Sequence, residues 1–285
     1  MNSPQEQQQI RQQAAEWAIR LDGGDLDRSR REALDGWLAA DPRRGWAAAA
    51  AVLLALGSAW SERDAGVSWL ADHATGKGEV RILRLVDGSE VELDAQSAID
   101  VAYDSRERRV RLLEGSAIFR AAPRAGRETR PFVVESAGGS TRALGTRFLV
   151  SRNDDGSVQV GVLEHRVAVA LAHPRTGTVG RRELGEGESL RYSAEGGVEA
   201  PLGGRLDDLT SWRRGLLVFD EQPLGEVVAR LNRYRPGHLL VAPGALAQRR
   251  VSGVFRVADL EASLQSISDE LGVRSLGLAG VTLLY

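Results

Sequence analysis

The chain has 285 residues, of which 42% are apolar and 27% charged, with a formal net charge of -2 and no cysteine. That length and composition describe a globular protein of two or three domains and exclude a disordered chain. Near-neutral charge offers no general attraction to nucleic acid, and the lack of cysteine excludes disulfides, thiol catalysis and thiolate metal sites.

The first 45 residues predict a small all-α head. Ile10, Ala14, Trp17 and Leu21 recur at helical spacing before Gly23-Gly24, and Ala33, Leu34, Trp37 and Leu38 form a second apolar face between the N-cap candidate Asp27 and the stop Asp41-Pro42. Seven Arg against eight acidic residues in this head argue against direct nucleic-acid binding. So short a segment buries little surface alone, so Trp17 and Trp37 serve either as its core or as anchors for a partner.

Trp46 to Trp60 carries no charge. As a helix it would be about 22 Å long, against a hydrocarbon core of about 30 Å. Arg43-Arg44 before it and Trp at both ends suit a short membrane span with a cytoplasmic N-terminus, while its length also suits a buried fourth helix of the head. The polar stretch Met1 to Gln9 is no secretory signal, so export of the remainder would depend on this run.

After a polar connector over residues 61–78, the hydrophobic period changes to two. Glu79 to Leu85 and Glu90 to Asp94 flank the hairpin signal Asp87-Gly88. Further strands are expected at Ile99 to Tyr103, Val110 to Leu113, Ala117 to Ala121, Phe132 to Glu135, Thr146 to Ser151, Val158 to Leu163, Val167 to Leu171 and Glu188 to Tyr192, separated by turn-rich pieces such as Gly138-Gly139. Residues 79–200 thus read as an all-β domain, with sandwich, barrel and solenoid all open. Beyond Pro201 to Gly204, residues 212–285 read as an α+β module. Its strand at Leu216 to Phe219 precedes a helix striped by Leu224, Val227, Val228 and Leu231 with Pro223 at its first position. Strands at His238 to Ala242 and Arg250 to Phe255 come after it. A helix capped by Asp259 and closed by Gly272 is next, and a hairpin over Val273 to Leu278 and Val281 to Leu284 ends the module.

Chemical motifs are weak. The histidines at 73, 165, 173 and 238 have no metal-ligand spacing. Thr75-Gly76-Lys77-Gly78 lacks the upstream glycine and strand-to-helix setting of a phosphate loop, and Asn153-Asp154-Asp155-Gly156 lacks the later Glu of a calcium loop. Neither a nucleophile elbow nor a carboxylate pair stands out, so the chain does not read as an enzyme, and neither cofactor nor metal is expected.

Three groups of residues resemble the FecR family of bacterial sigma-factor regulators. Ala15-Glu16-Trp17 through Leu26, with Trp37-Leu38-Ala39-Ala40-Asp41-Pro42, is similar to the family's sigma-binding head. Thr75 to Glu79, Leu85-Val86-Asp87-Gly88-Ser89, Pro131 to Val134 and Leu144-Gly145-Thr146-Arg147-Phe148 are similar to its β domain. Phe219-Asp220-Glu221-Gln222-Pro223-Leu224, with the rest of its module, is similar to a secretin/TonB short N-terminal domain. The resemblance implies an anti-sigma factor anchored once in the bacterial inner membrane. Residues 1–45 would hold an extracytoplasmic-function sigma factor in the cytoplasm through Trp17, Leu21, Leu34, Trp37 and Leu38, and residues 46–60 would form the span. The periplasmic bulk would answer the signalling domain of a TonB-dependent outer-membrane receptor, in iron or siderophore uptake. Where relatives have a fourth head helix and a separate span, Trp46 to Trp60 occupies both positions. Gly145-Thr146 matches a pair at which some relatives cleave themselves; the plainer role is a glycine needed at a strand entry. The rival reading of the whole chain is a periplasmic binding module without a sigma partner.

Overall fold

The computed structural model describes residues 71–285 apart from residues 125, 127, 144, 201–205, 243 and 279. The expected head helices and the run Trp46 to Trp60 lie outside the described residues, as does most of the connector. Of the described residues, those up to 275 together with residues 283–285 form one compact unit.

The period-two segments form two seven-stranded sheets. The first runs in the order β1 (His73–Ala74), β4 (Ala98–Tyr103), β5 (Arg108–Glu114), β7 (Phe132–Ser136), β8 (Gly139–Ala143), β11 (Arg166–Leu171), β12 (Arg181–Gly185). The second runs β14 (Gly197–Val198), β13 (Ser189–Ser193), β10 (Val158–Glu164), β9 (Arg147–Arg152), β6 (Ser116–Arg120), β3 (Glu90–Leu93), β2 (Arg81–Arg84). The β5–β7 pair is parallel, and the other pairs given for these two sheets are antiparallel. The chain fills the sheets by turns: β2 and β3 lie in the second, β4 and β5 in the first, β6 in the second, β7 and β8 in the first.

Inward residues of both sheets share one core, which includes Val91, Ile99, Val110, Phe119, Phe132, Phe148, Val160, Val169 and Tyr192. Phe119 and Phe148 are cross-strand partners with stacked rings 5.5 Å apart, and Phe132 of the opposite sheet lies 6.2 Å from Phe119. Among the architectures open at the level of sequence, this shared core makes the domain a β-sandwich.

Four strands escape the hydrophobic pattern: the two-residue β1 and β14, and the longer β8 and β12. β8 begins at Gly139, in the stretch expected to be a separator, because Ala137 and Gly138 make a two-residue turn with φ of 42° and 76°. A Cβ on Gly139 would sit 2.4 Å from the Tyr192 ring, whose hydroxyl donates to the Ser136 carbonyl at 2.9 Å. Bare backbone is what lets that ring lie over the strand. β12, Arg-Arg-Glu-Leu-Gly, buries only Leu184, leaving no alternation to read.

The middle of the second sheet is covered on both faces. Ala117, Phe119, Phe148 and Val150 point into the sandwich, while Ile118 and Leu149 point the other way and join a second core. That core includes Trp212, Leu217, Phe219, Leu224, Val227, Leu231, Leu239 and Phe255 from the C-terminal elements. Those elements are α1 (Leu206–Leu209), a 3-10 turn (Ser211–Arg214), β15 (Leu216–Pro223), α2 (Leu224–Asn232), β16 (His238–Val241), β17 (Arg250–Arg256), α3 (Leu260–Leu271), β18 (Ser275–Leu278) and β19 (Val281–Leu284).

The expected helices are present, with two corrections. Pro223 ends β15, which runs four residues further than expected through a register shift between Phe219 and Gln222, and α2 starts after it. Asp259 closes a 3-10 turn over Val257–Asp259 and does not cap α3 as an isolated N-cap. Gly272 comes directly after α3 with φ of 61°, as the C′ reading required.

Candidate functional site

The chain enters the described unit through the stretch from Thr75 to Gly78, and two partners grip it. From the sandwich, Thr75 N–H donates to the Ser97 carbonyl at 2.9 Å and the Thr75 hydroxyl donates to the Asp94 carbonyl. From beyond the end of α2, the Arg233 carbonyl accepts from Gly78 N–H at 2.9 Å, and the Gly237 carbonyl accepts from the Lys77 ammonium at 2.9 Å. The motif that resembled a fragment of a phosphate loop is thus a structural clasp.

Asp94 stands at the centre of this junction with its side chain 1% exposed. It accepts from Ala95 N–H at 2.7 Å and from the Tyr234 hydroxyl, and it pairs with the Arg233 guanidinium at 3.2 Å. Arg233 also donates to the Ala95 carbonyl and the Ser97 hydroxyl, so its planar fork is filled. Burial, then the adjacent Asp94 charge, pushes the Tyr234 hydroxyl well above the usual phenol range, so it remains a donor. A second link joins Glu92 of β3 to Arg213 of the 3-10 turn, with Arg147 of β9 2.8 Å from the same carboxylate. Buried charges paired across two cores hold the C-terminal elements in one orientation on the second sheet.

The sequence reading missed Asp94, Arg233 and Tyr234. The available signal was polar density, Asp-Ala-Gln-Ser after β3 and Arg-Tyr-Arg-Pro-Gly after α2, where a strand and a helix should simply have ended.

Gly145 and Thr146 lie just before β9. Gly145 is exposed with φ of 86°, a conformation glycine adopts without strain, and no atom lies within 4 Å of where its Cβ would be. Thr146 is 2% exposed; its carbonyl accepts from Ala121 N–H at 3.1 Å, and its hydroxyl has no hydrogen-bond partner. An unpaired buried hydroxyl beside a glycine carbonyl is compatible with attack on that carbonyl, but also with a packed threonine. The head residues Trp17, Leu21, Leu34, Trp37 and Leu38 lie outside the described residues, so the structure brings none of them to this junction. Among the described residues no cluster of His, Asp or Glu could hold a metal ion, and no helix is long and apolar enough to cross a membrane.

Comparison with known proteins places this arrangement. No curated protein matches the chain. Two crystal structures of a candidate anti-sigma factor from Parabacteroides distasonis share its fold. The one at 1.65 Å is 23% identical with a TM-score of 0.65, and the one at 2.50 Å is 24% identical with a TM-score of 0.63; each match covers 75% of this chain and 97% of that one. Residues 12–54 match a domain of unknown function, DUF4880. Residues 71–168, which hold the clasp, Asp94, Gly145 and Thr146, match the FecR protein model, and this part of the chain is a FecR domain.

Proposed function

We propose that the protein is an anti-sigma regulator of cell-surface signalling. Residues 1–45 bind an extracytoplasmic-function sigma factor through Trp17, Leu21, Leu34, Trp37 and Leu38, residues 46–60 cross the bacterial inner membrane with the N-terminus cytoplasmic, and the remainder answers a TonB-dependent receptor in the periplasm, in the service of iron or siderophore uptake. The reading is carried by one observation: a FecR match at 71–168 and a separate N-terminal match at 12–54, which contains all five head residues, occur in one chain. The fold shared with a candidate anti-sigma factor supports it.

The junction suggests how a signal would travel. A receptor pulling on or displacing the C-terminal module, which resembles a secretin/TonB short N-terminal domain, would act through Arg233 and Gly237 on Lys77 and Gly78. Those residues begin the chain's route back toward the head. Transmission through hydrogen-bonded contacts needs no flexible linker.

The test is retention of a small sigma factor by the full chain during purification from its own bacterium, together with transcription of the dependent genes. Trp37→Ala should release the sigma factor and deregulate those genes. A wild-type chain that retains no sigma factor would instead favour the binding-module reading.

A second reading concerns Gly145-Thr146 and rests on the unpaired Thr146 hydroxyl. The hydroxyl oxygen adds to the Gly145 carbonyl carbon, the peptide C–N bond breaks, and the proton passes to the freed amine of Thr146; water then hydrolyses the ester to leave a Gly145 carboxylate and a Thr146 N-terminus. Pieces on either side would remain associated, since β6 and β9 pair across the break.

A further inference from the structure

Among the described residues the two sheets of the sandwich end in four edge strands, and three of them are blunted. β1 and β14 are two residues long, and β12 carries Arg181, Arg182 and Glu183 while its one apolar side chain, Leu184, is buried. β2 differs. It pairs with β3 along one side and has no partner strand on the other among the described residues. Its ladder with β3 is unbroken from Arg81 to Arg84, with neither proline nor bulge. Ile82 is 65% exposed, and Val80 just before the strand is 44% exposed.

The direction of the main-chain groups follows from the turn. Leu85 N–H donates to the Ser89 carbonyl at 2.8 Å, so by antiparallel alternation Leu83 and Arg81 also face β3, whereas Arg84, Ile82 and Val80 turn their N–H and C=O groups away from it. Leu83 packs against the sandwich core, which leaves the Ile82 side chain on the outer face, opposite Glu92 of β3.

We propose that β2 is a docking edge for a second copy of this chain, the two β2 strands pairing antiparallel about Ile82 so that the second sheets of both copies become one. The strand is complementary to itself in that register. Ile82 faces Ile82 of the second copy, Val80 faces Arg84 and Arg81 faces Leu83, so each directly opposed pair contains an apolar side chain and no cation faces another. Centring on Arg81 or Arg84 would set that cation against itself. Centring on Val80 or Leu83 would run the ladder into Gly78, which the Arg233 carbonyl holds, or into the turn at Asp87. The Arg81 charge is also offset by an ion pair with Glu79 of its own chain. Main-chain hydrogen bonds supply the attraction, and a two-fold axis normal to the sheet closes the contact as a dimer. An edge this short buries less than the roughly 1,200 Å² of a stable complex, so the dimer forms with concentration. The inference goes beyond the anti-sigma reading and does not depend on it.

The chain has no cysteine, so single cysteines test the contact without background. Facing residues of a hydrogen-bonded antiparallel pair have Cα atoms about 5.5 Å apart, within the reach of a disulfide. In the purified full chain at roughly 0.1 mM, Ile82→Cys treated with oxidised glutathione should form a disulfide-linked dimer. Arg84→Cys alone should not, whereas Val80→Cys mixed with Arg84→Cys should link one variant to the other. Sedimentation of wild type should show a concentration-dependent dimer, and Ile82→Lys, a change at an exposed position, should weaken it by about tenfold or more without moving the thermal midpoint. An Ile82→Cys chain that stays unlinked, or a dimer that Ile82→Lys leaves intact, overturns the proposal, and self-linkage of Arg84→Cys overturns its register. A monomeric chain whose Ile82 amide resists hydrogen exchange means that another segment of the same chain covers the edge, which overturns the second copy as occupant; with that amide unprotected, the docking edge itself is overturned.

Discussion

Arg108 and Asp87 meet at 2.8 Å with side chains 2% and 3% exposed, and the pair ties one sheet of the sandwich to the other. Asp87 sits in the turn between β2 and β3 of the second sheet, whereas Arg108 opens β5 of the first. The Asp87 carboxylate also accepts from Ser89 and from the Tyr103 hydroxyl of β4 at 2.9 Å. Arg108 also donates to the Ala122 and Arg130 carbonyls and lies 5.7 Å from the centre of the Phe132 ring. The Leu85 to Ser89 motif therefore has a reason beyond its turn.

Removing one partner should be costly. Asp87→Ala strands a buried guanidinium and is expected to destabilise the β-sandwich by about 3–5 kcal/mol. Urea unfolding monitored by tyrosine and tryptophan fluorescence measures it. Asp87→Ala combined with Arg108→Met should lose less than the two single losses added together, because neither residue then leaves the other's charge unpaired. A single variant within about 0.5 kcal/mol of wild type, the ordinary range of a surface change, would contradict the rivet.

The same pair predicts an acid dependence. Burial raises the Asp87 carboxyl, but the hydrogen bonds from Ser89, Arg108 and Tyr103 outweigh it and hold the group below its ordinary value. A carboxylate depressed in the folded state contributes stability above its unfolded pKa of about 3.9, and loses that contribution as the pH falls through the folded value. The thermal midpoint of wild type should drop more steeply below about pH 4 than that of Asp87→Asn. Parallel profiles would mean that other carboxylates dominate.

At the junction, Tyr234→Phe removes one hydrogen bond to the buried Asp94 charge and should cost about 1.5–3 kcal/mol. Arg233→Ala removes the ion pair and the bonds to Ala95 and Ser97 together and should cost more. Hydrogen exchange is the more specific readout. The amide of Gly78 should exchange faster in Arg233→Ala, with amides of the sandwich core such as Val160 unchanged. Equal acceleration in both places would indicate general loosening.

At the strand entry, Gly145→Ala places a side chain at φ of 86° with open space around it, so its cost is conformational and is expected to be about 1–2 kcal/mol. Thr146→Ala deletes an unpaired hydroxyl and should leave stability nearly unchanged. If the pair cleaves itself, denaturing electrophoresis of wild type shows two fragments, Thr146→Ala shows one intact chain, and Thr146→Ser restores the fragments. A single intact wild-type band leaves Gly145 with a purely structural role.

By itself the sequence determined the local structure: period-two strands, the turn at Asp87-Gly88, the amphipathic stripe of α2 and the glycine that closes α3. These rest on backbone preference and on the spacing of apolar side chains over a few residues, both written along the chain. Strands with a weak local code, such as β8 and β12, did not show. Only the tertiary structure decided that the sheets form a sandwich. The run Ala117-Ile118-Phe119 could have hinted that its strand is covered on both faces, because it does not alternate, but nothing local names what covers it. The Asp87–Arg108 pair joins residues 21 apart in sequence, and Asp94 and Tyr234 are 140 apart. Whether such groups meet depends on how the two cores close, since a buried charge is tolerable only beside its partner, and that condition is a property of the packed molecule.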